Sequence, residues 1–259
     1  MDKKNNKIIV TALALMFVSI IFVTTKVHAA PETLPIPKIN ISVDNANTPQ
    51  QYVGNLKLLV MLTILTLLPS FIMMMTSFVR IIVVFGFLRT AIGTQQSPPN
   101  QVLIGLALFL TVFIMQPVYN KVNTNAIQPF MENKITQDQA IEQGSKPLRD
   151  FMLNQTRQKD FNLFIDAAKL NYKVTKDNAP LYVVVPSYMI SELKTSFEIG
   201  FLIYIPFMII DLVVGSVLMS MGMMMLPPAM ISLPFKLLLF VMVDGWYLLV
   251  KSLIMSFSG

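Results

Sequence analysis

Long apolar runs, each broken by a proline or a lone charge, alternate with shorter polar stretches along this chain. A first run, "IIVTALALMFVSIIFV", covers residues 8–23. Residues 31–51 are rich in Pro, Asn and Thr and read as an extended linker. Then "LLVMLTILTLLPSFIMMMTSFV" (58–79) runs without a charge, and apolar residues resume after Arg80. A bilayer core takes about 20 helical residues. This segment is longer and contains Pro69, which predicts a broken or strongly tilted helix. "RTAIGTQQSPPNQ" (89–101) predicts a turn, and 102–118 a second apolar helix. The last third predicts a hairpin: residues 199–226 run out, Pro227 and Pro228 turn the chain, and 230–250 return.

The stretch 120–185 differs in kind, being polar with charges of both signs. "TQDQ" at 136–139 has the form of a capping box. Gly144 is placed to close that helix and Pro147 to open the next. Phe151, Phe161, Phe164 and Ile165 supply a small core. An insertion of this size is too small to be robust alone. The chain thus divides into a signal peptide (1–29), an extended linker (30–55), a first helical hairpin (56–119), a polar helical insertion (120–185) and a second helical hairpin with a Met-rich loop (186–259). The expected class is all-α and membrane-associated.

The N-terminus has the three parts of a secretory signal: Lys3, Lys4 and Lys7, the apolar run, and "VHA" at 27–29 with small residues before a cleavage site. An uncleaved first transmembrane helix is the competing reading. Cleavage after Ala29 removes Lys3, Lys4, Lys7, Lys26 and Asp2, lowering the net charge from +6 to about +3. The basic balance therefore does not argue for nucleic-acid binding. A cleaved signal places the mature N-terminus and the insertion on the periplasmic side, and the short loops carrying Arg89 and Lys236 on the cytoplasmic side, in line with the positive-inside rule.

Composition agrees with a membrane setting: 54% of residues are hydrophobic and only 13% charged, against roughly 25% charged in soluble domains. There is no Cys, and the one His, His28, leaves with the signal. That removes thiolate chemistry, the usual general base and most zinc, copper and haem sites. Neither a phosphate-binding G-x-x-x-x-G-K-[ST] loop nor a G-x-S-x-G elbow occurs. No catalytic, cofactor or metal site is expected.

Arg80, Asp211, Lys236 and Asp244 interrupt apolar segments. A central charge costs roughly 2.5–3.5 kcal/mol on insertion scales, so such residues should face protein, water or one another. With a turn at Pro227–Pro228, Asp211 and Asp244 fall at one depth, which requires a proton or a cation between them. Lys236 is too far along the same helix to pair with Asp244, so its partner should come from another helix or subunit. Arg80 can also snorkel or mark a helix end. Assembly contacts and a proton path are both compatible with these charges. Glu192 and Glu198 flank Lys194 at spacings that allow local helix pairs. Ser216 and Ser220, with Gly215 and Gly222 beside them, form a small-residue pattern suited to helix packing. Trp246 suits an interfacial anchor or packing within an assembly.

"SMGMMMLPPAM" (220–230) is the least ordinary stretch. Consecutive helical residues point about 100° apart, so Met223, Met224 and Met225 cannot share one core-facing stripe. Together with "PSYMISELKTSFEIGF" (186–201), "IPFMIIDLVVGSVLMSMGMMMLPPAMISLPFKLLLFVMVDGW" (205–246) and "FVRIIVVFGFLRTAIGTQQSPPNQVLIGLALFLT" (78–111), it closely resembles the FliP/SctR family of type III export-gate proteins. The N-terminal region looks like the flagellar branch of that family.

The resemblance implies a non-enzymatic, pore-forming core subunit of the flagellar export gate, passing unfolded flagellar proteins across the bacterial inner membrane at the basal body. It implies broken hairpins that assemble into a helical ring, a pentamer with FliQ and FliR, working beside FlhB and FlhA. It also implies that Met223, Met224 and Met225 form a pore gasket, with Gly222, Pro227 and Pro228 shaping their loop. Glu192, Asp211, Lys236 and Asp244 become candidate subunit contacts, and Arg80 a candidate buried charge. The competing class is an ion or small-solute transporter subunit using intramembrane carboxylates; the inverted repeats that would favour it are not found.

Overall fold

The computed structural model describes residues 49–94, 96–169, 175, 178–223 and 226–257, with side chains from residue 56 onward. The signal peptide, most of the linker, and Met224 and Met225 lie outside the described residues. Residues 58–259 form one compact unit.

Among the described residues the secondary structure is helical throughout, as the apolar runs and capping signals predict. The helices are α1 (Pro49–Met74), α2 (Phe78–Ile92), α3 (Asn100–Val122), α4 (Gln128–Met131), α5 (Gln137–Gln155), α6 (Gln158–Ala168), α7 (Leu181–Ser220), α8 (Pro228–Met242) and α9 (Gly245–Met255). A π-helical turn, Asn123–Ile127, joins α3 to α4. Three of these segments are long and apolar enough to cross a membrane; the bent α8–α9 pair, with 62° between its arms, makes a fourth if counted as one span.

The first apolar segment does break, but beyond Pro69, which α1 carries in its interior. The break falls at 75–77, where the backbone has other hydrogen-bond partners. The Thr76 hydroxyl donates to the Met73 carbonyl (2.9 Å), and the Tyr188 hydroxyl reaches across from α7 to the Thr76 carbonyl (2.8 Å). The capping box forms: the Thr136 hydroxyl accepts from the Gln139 amide, and the Gln139 side chain accepts from the Thr136 amide. Gly144 and Pro147, expected to separate two helices, both lie inside the single helix α5. Gly144 is there because of a close approach. A Cβ on it would sit 3.3 Å from Ala126.

α2 is the spine of the body. Ile81, Val84, Phe85 and Leu88 recur on one face and are buried together with Leu103 and Ala107 of α3, Phe207 of α7, Phe240 of α8 and Leu249 and Leu253 of α9. α7 crosses closely at Gly200, where a Cβ would stand 2.5 Å from the Phe87 ring. Phe151, Phe161, Phe164 and Ile165 join a second core with Met152, Leu153, Val183, Val184 and Tyr188, which seats the polar insertion on the start of α7.

α7 has 40 residues, or about 60 Å at 1.5 Å per residue, twice the thickness of a bilayer core. Its two halves differ. Ser187, Tyr188, Ser191, Glu192 and Ser196 are fully buried on one stripe of the first half, whereas Leu212, Val213, Val217 and Met219 of the second are exposed. No residue of the apolar window of α1 (Leu56–Met74) is buried. Apolar surface on this scale requires a bilayer or protein partners to cover it.

Candidate functional site

Two ion pairs and one turn organise the residues singled out above. The first pair is Arg80 with Glu192, both buried, joining α2 to α7. Arg80 Nε donates to Glu192 Oε2 (2.8 Å) and Nη2 to Glu192 Oε1. Nη2 also donates to Gln155 Oε1 at the end of α5 (3.0 Å), and Nη1 donates to the Ser256 carbonyl and hydroxyl (3.1 and 3.0 Å). All five guanidinium donors are thus satisfied. The Phe257 ring lies 3.8 Å from the guanidinium carbon and stacks on Phe151. This fork–fork geometry, with a planar group against an aromatic face, is specific to arginine. Glu192, two residues from Lys194, points to another face of the helix; Lys194 pairs with Glu198, four residues on, at the exposed surface.

A smaller network adjoins it through Ser191, the residue before Glu192. Asp160 Oδ2 accepts from the Ser191 hydroxyl (2.6 Å) and from Nε and Nη2 of Arg157 (2.9 and 2.6 Å). Burial acts to raise the Asp160 pKa, but the hydrogen bonds from Ser191 and Arg157 and the Arg157 charge prevail and hold it below the ordinary value.

The second pair is Lys236 with Asp211, joining α8 to α7 (2.6 Å). Ser232 donates to the other carboxylate oxygen (2.5 Å), and Lys236 also donates to the Ala91 carbonyl (3.3 Å). Ala91 lies in the last turn of α2, just before the left-handed Gly93 (φ 87°), where a cation satisfies an orphan carbonyl and complements the helix dipole. Lys236 is buried and Asp211 half-buried. The partner of Lys236 does come from another helix, but from the same chain.

Asp211 and Asp244 do not share a depth. α7 ends at Ser220 and α8 begins at Pro228, so the turn is centred before the prolines and Asp211 comes level with Ser232 and Lys236. Asp244 lies beyond the end of α8, in the bend before α9. It has a left-handed backbone (φ 50°, ψ 55°), is exposed, and its side chain does not cap α9. Among the described residues it has no ion-pair partner.

The turn closes α7 by a Schellman motif. The Met223 amide donates to the Leu218 carbonyl (3.0 Å), the Gly222 amide donates to the Met219 carbonyl (3.1 Å), and Gly222 is left-handed (φ 75°). Met223 is thereby lifted off the helix and stands exposed, with Pro227 as N-cap and Pro228 as first residue of α8. Gly215 is buried against Pro228. Ser216 and Ser220 are exposed and return their hydroxyls to the carbonyls of Leu212 and Val217 within α7. Trp246 packs edge-on against Phe85 and Phe240 inside the chain.

Gln155, Ser256, Phe257, Ser232, and the Asp160–Arg157–Ser191 network were not anticipated. The spacing of Ser187, Ser191 and Ser196 around Glu192 was the available signal. Small polar residues recurring on one stripe of an apolar helix mark the face that closes on another helix.

Fold and site together define an all-α membrane protein whose ionisable groups join helices and assemble no metal-binding cluster among the described residues. The chain is matched over residues 61–253 by the model of the FliP family. The flagellar biosynthetic protein FliP of Bacillus subtilis (strain 168) is 54% identical over 217 residues, covering 84% of this chain and 98% of that protein. The protein of the same name from Buchnera aphidicola subsp. Baizongia pistaciae (strain Bp) is 50% identical over 252 residues (97% and 68%), and that of Aquifex aeolicus (strain VF5) 48% identical over 225 residues (86% and 92%). The chain belongs to the FliP family.

Proposed function

We propose that the chain is a pore-forming core subunit of the flagellar type III export gate, without catalysis of its own, that passes unfolded flagellar proteins across the inner membrane. The observation that carries this reading is the methionine turn. The Schellman motif at Gly222 ends α7 and takes Met223 off the helix into a partly exposed position, at the head of the run Met223, Met224, Met225. Unbranched thioether chains adapt to varied shapes. A ring of them closes on itself against water and ions, then deforms around a passing polypeptide.

The uncovered apolar surface of α1 and of the second half of α7 supports a life inside an assembly. That assembly is read as a homo-oligomeric ring, pentameric by family resemblance, with FliQ and FliR as co-subunits and FlhB and FlhA beside it. Asp244, exposed and without a cation among the described residues, suits a basic side chain of a neighbouring subunit. The transporter reading rests on Asp211 and Asp244; it draws less support, because Asp211 is already paired with Lys236 inside the chain.

The test is Met223→Ala, Met224→Ala and Met225→Ala in one chain, in the assembled complex reconstituted into planar bilayers. Resting ion conductance is expected to rise several-fold. Unchanged conductance in a correctly assembled particle would overturn the gasket. N-terminal sequencing of the mature chain tests signal cleavage, with a start near residue 30 expected.

A further inference from the structure

α1 and α2 part at a place with no local helix breaker. Met75, Thr76 and Ser77 include neither proline nor glycine, and none of them has a left-handed backbone. Sharp helix kinks ordinarily trace to proline, to glycine or to a group inserted into the hydrogen-bond ladder. Here the inserted groups are two hydroxyls. Thr76 Oγ1 donates to the Met73 carbonyl (2.9 Å) and accepts from the Phe78 amide (3.4 Å), while the Tyr188 hydroxyl of α7 donates to the Thr76 carbonyl (2.8 Å). Ser77 is left out. It is fully buried, and its hydroxyl has no partner among the described residues. Hydroxyls inside the helices of this chain return to the carbonyl four residues back, as at Thr63, Thr90, Thr111, Ser187 and Ser196. For Ser77 that carbonyl is Met73, which the break gives to Thr76.

We infer that residues 75–77 are a two-state hinge: the bent junction exchanges with a straight one, in which α1 and α2 form a single helix and the Ser77 hydroxyl takes the Met73 carbonyl. The backbone change is small. Ser77 already has φ −65° and ψ −6°, close to the helical values of about −63° and about −42°. Straightening returns the Ser77 and Phe78 amides to carbonyls four residues back and satisfies a buried hydroxyl, whose isolation is unfavourable. It gives up the hydrogen bonds from Tyr188 and Thr76. α1 is free to follow, because no residue of its apolar window is buried. A cleft of about 870 Å³, lined by Leu65, Leu68, Ile72, Phe109, Val112 and Phe113, separates it from α3. Met75, packed against the second core, is the pivot. The hinge lets α1 take its angle from the surroundings that cover it, while the body built on α2 stays fixed; whichever state those surroundings bind better is the one they populate.

The experiment uses the full chain in lipid nanodiscs, with Ile64→Cys and Ile104→Cys at exposed positions of α1 and α3. The chain has no cysteine of its own, so spin labels attach only there, and pulsed dipolar spectroscopy reads the separation of the two helices. One separation, that of the bent junction, is expected to dominate. Tyr188→Phe keeps the ring and removes the hydroxyl, and should raise the population at a second separation about fivefold, the ratio that one net hydrogen bond carries. Adding Ser77→Ala should return that population to its starting level, whereas Ser77→Thr, which keeps the hydroxyl, should leave it raised. Thr76→Val cuts the other restraint without touching α7 and should shift the population in the same direction as Tyr188→Phe. Two results would overturn the inference. One is a single, unchanged separation in both Tyr188→Phe and Thr76→Val; the other is a second population that Ser77→Ala leaves untouched.

Discussion

Arg80 meets Glu192 in an enclosed site, whereas Lys236 meets Asp211 at the edge of the α7–α8 hairpin. In the first, every guanidinium donor has a partner and four segments of the chain converge. In the second, a buried ammonium meets a half-buried carboxylate, and one serine and one carbonyl complete the set. The first is finished within one chain and reads as scaffold, fixing the insertion and the C-terminal residues onto α2 and α7. The second leaves a carboxylate face open beside exposed apolar surface, where a neighbouring subunit or lipid can complete it. A charge in an apolar segment is therefore not in itself evidence of transport or of a subunit contact; the degree of enclosure separates the cases.

The largest expected effect comes from breaking the enclosed pair. Glu192→Ala or Arg80→Ala strands a buried charge and should destabilise the chain by about 3–5 kcal/mol, measured as lost thermal stability in detergent or lost complex recovery. Exchanging the two, Arg80→Glu with Glu192→Arg, should recover little, because Gln155 and Ser256 are placed for a guanidinium on α2. Full rescue would show that the surrounding hydrogen bonds are incidental. Gly200→Ala comes next. It forces the Phe87 ring aside and should cost about 1–3 kcal/mol, with partial recovery in Gly200→Ala/Phe87→Leu by the same thermal measurement.

Asp211→Asn should cost about 1–3 kcal/mol, less than Glu192→Ala, with a non-additive coupling to Lys236→Met in a double-mutant cycle. Equal losses at the two sites would erase the distinction between enclosed and half-open pairs. Gly222→Ala, with a left-handed backbone and no neighbour for the new Cβ, should cost about 1 kcal/mol through backbone strain alone.

The smallest effect is in pH. The folded pKa of Asp160 lies below its unfolded value, so its contribution to stability is complete above the unfolded pKa of about 3.9 and is lost as pH falls through the folded value. Asp160→Asn should remove part of the acid destabilisation of the insertion, followed by circular dichroism between neutral pH and the acid transition. An unchanged acid limb would show that other carboxylates carry it.

Much of the architecture was legible because it depends on near neighbours. The capping box at Thr136 and the chain reversal at Pro227 and Pro228 follow from residues a few positions apart; the aromatic residues of the insertion's core were visible too, though Val183, Val184 and Tyr188 complete it from farther along the chain. Pro69 and Gly144 misled for the complementary reason. A local breaker signals an energy penalty, and α1 and α5 absorb it, the latter because Ala126 needs Gly144's missing side chain. The match of Asp211 to Asp244 failed on geometry. The length of the turn set the register of α7 against α8, and the prolines alone did not reveal it.

What the sequence by itself determined is the class: helices too apolar and too poor in charge to stand in water, a polar insertion, a methionine turn, and a chemistry without thiols. These follow from transfer energies and backbone preferences that each residue carries wherever it lies. Which charges meet was decided only by the tertiary structure. Arg80 and Glu192 are 112 positions apart, and Asp211 and Lys236 are 25 apart. Coulombic attraction acts through space over a few ångströms, so the partner is chosen by how helices cross and how far each turn advances the chain.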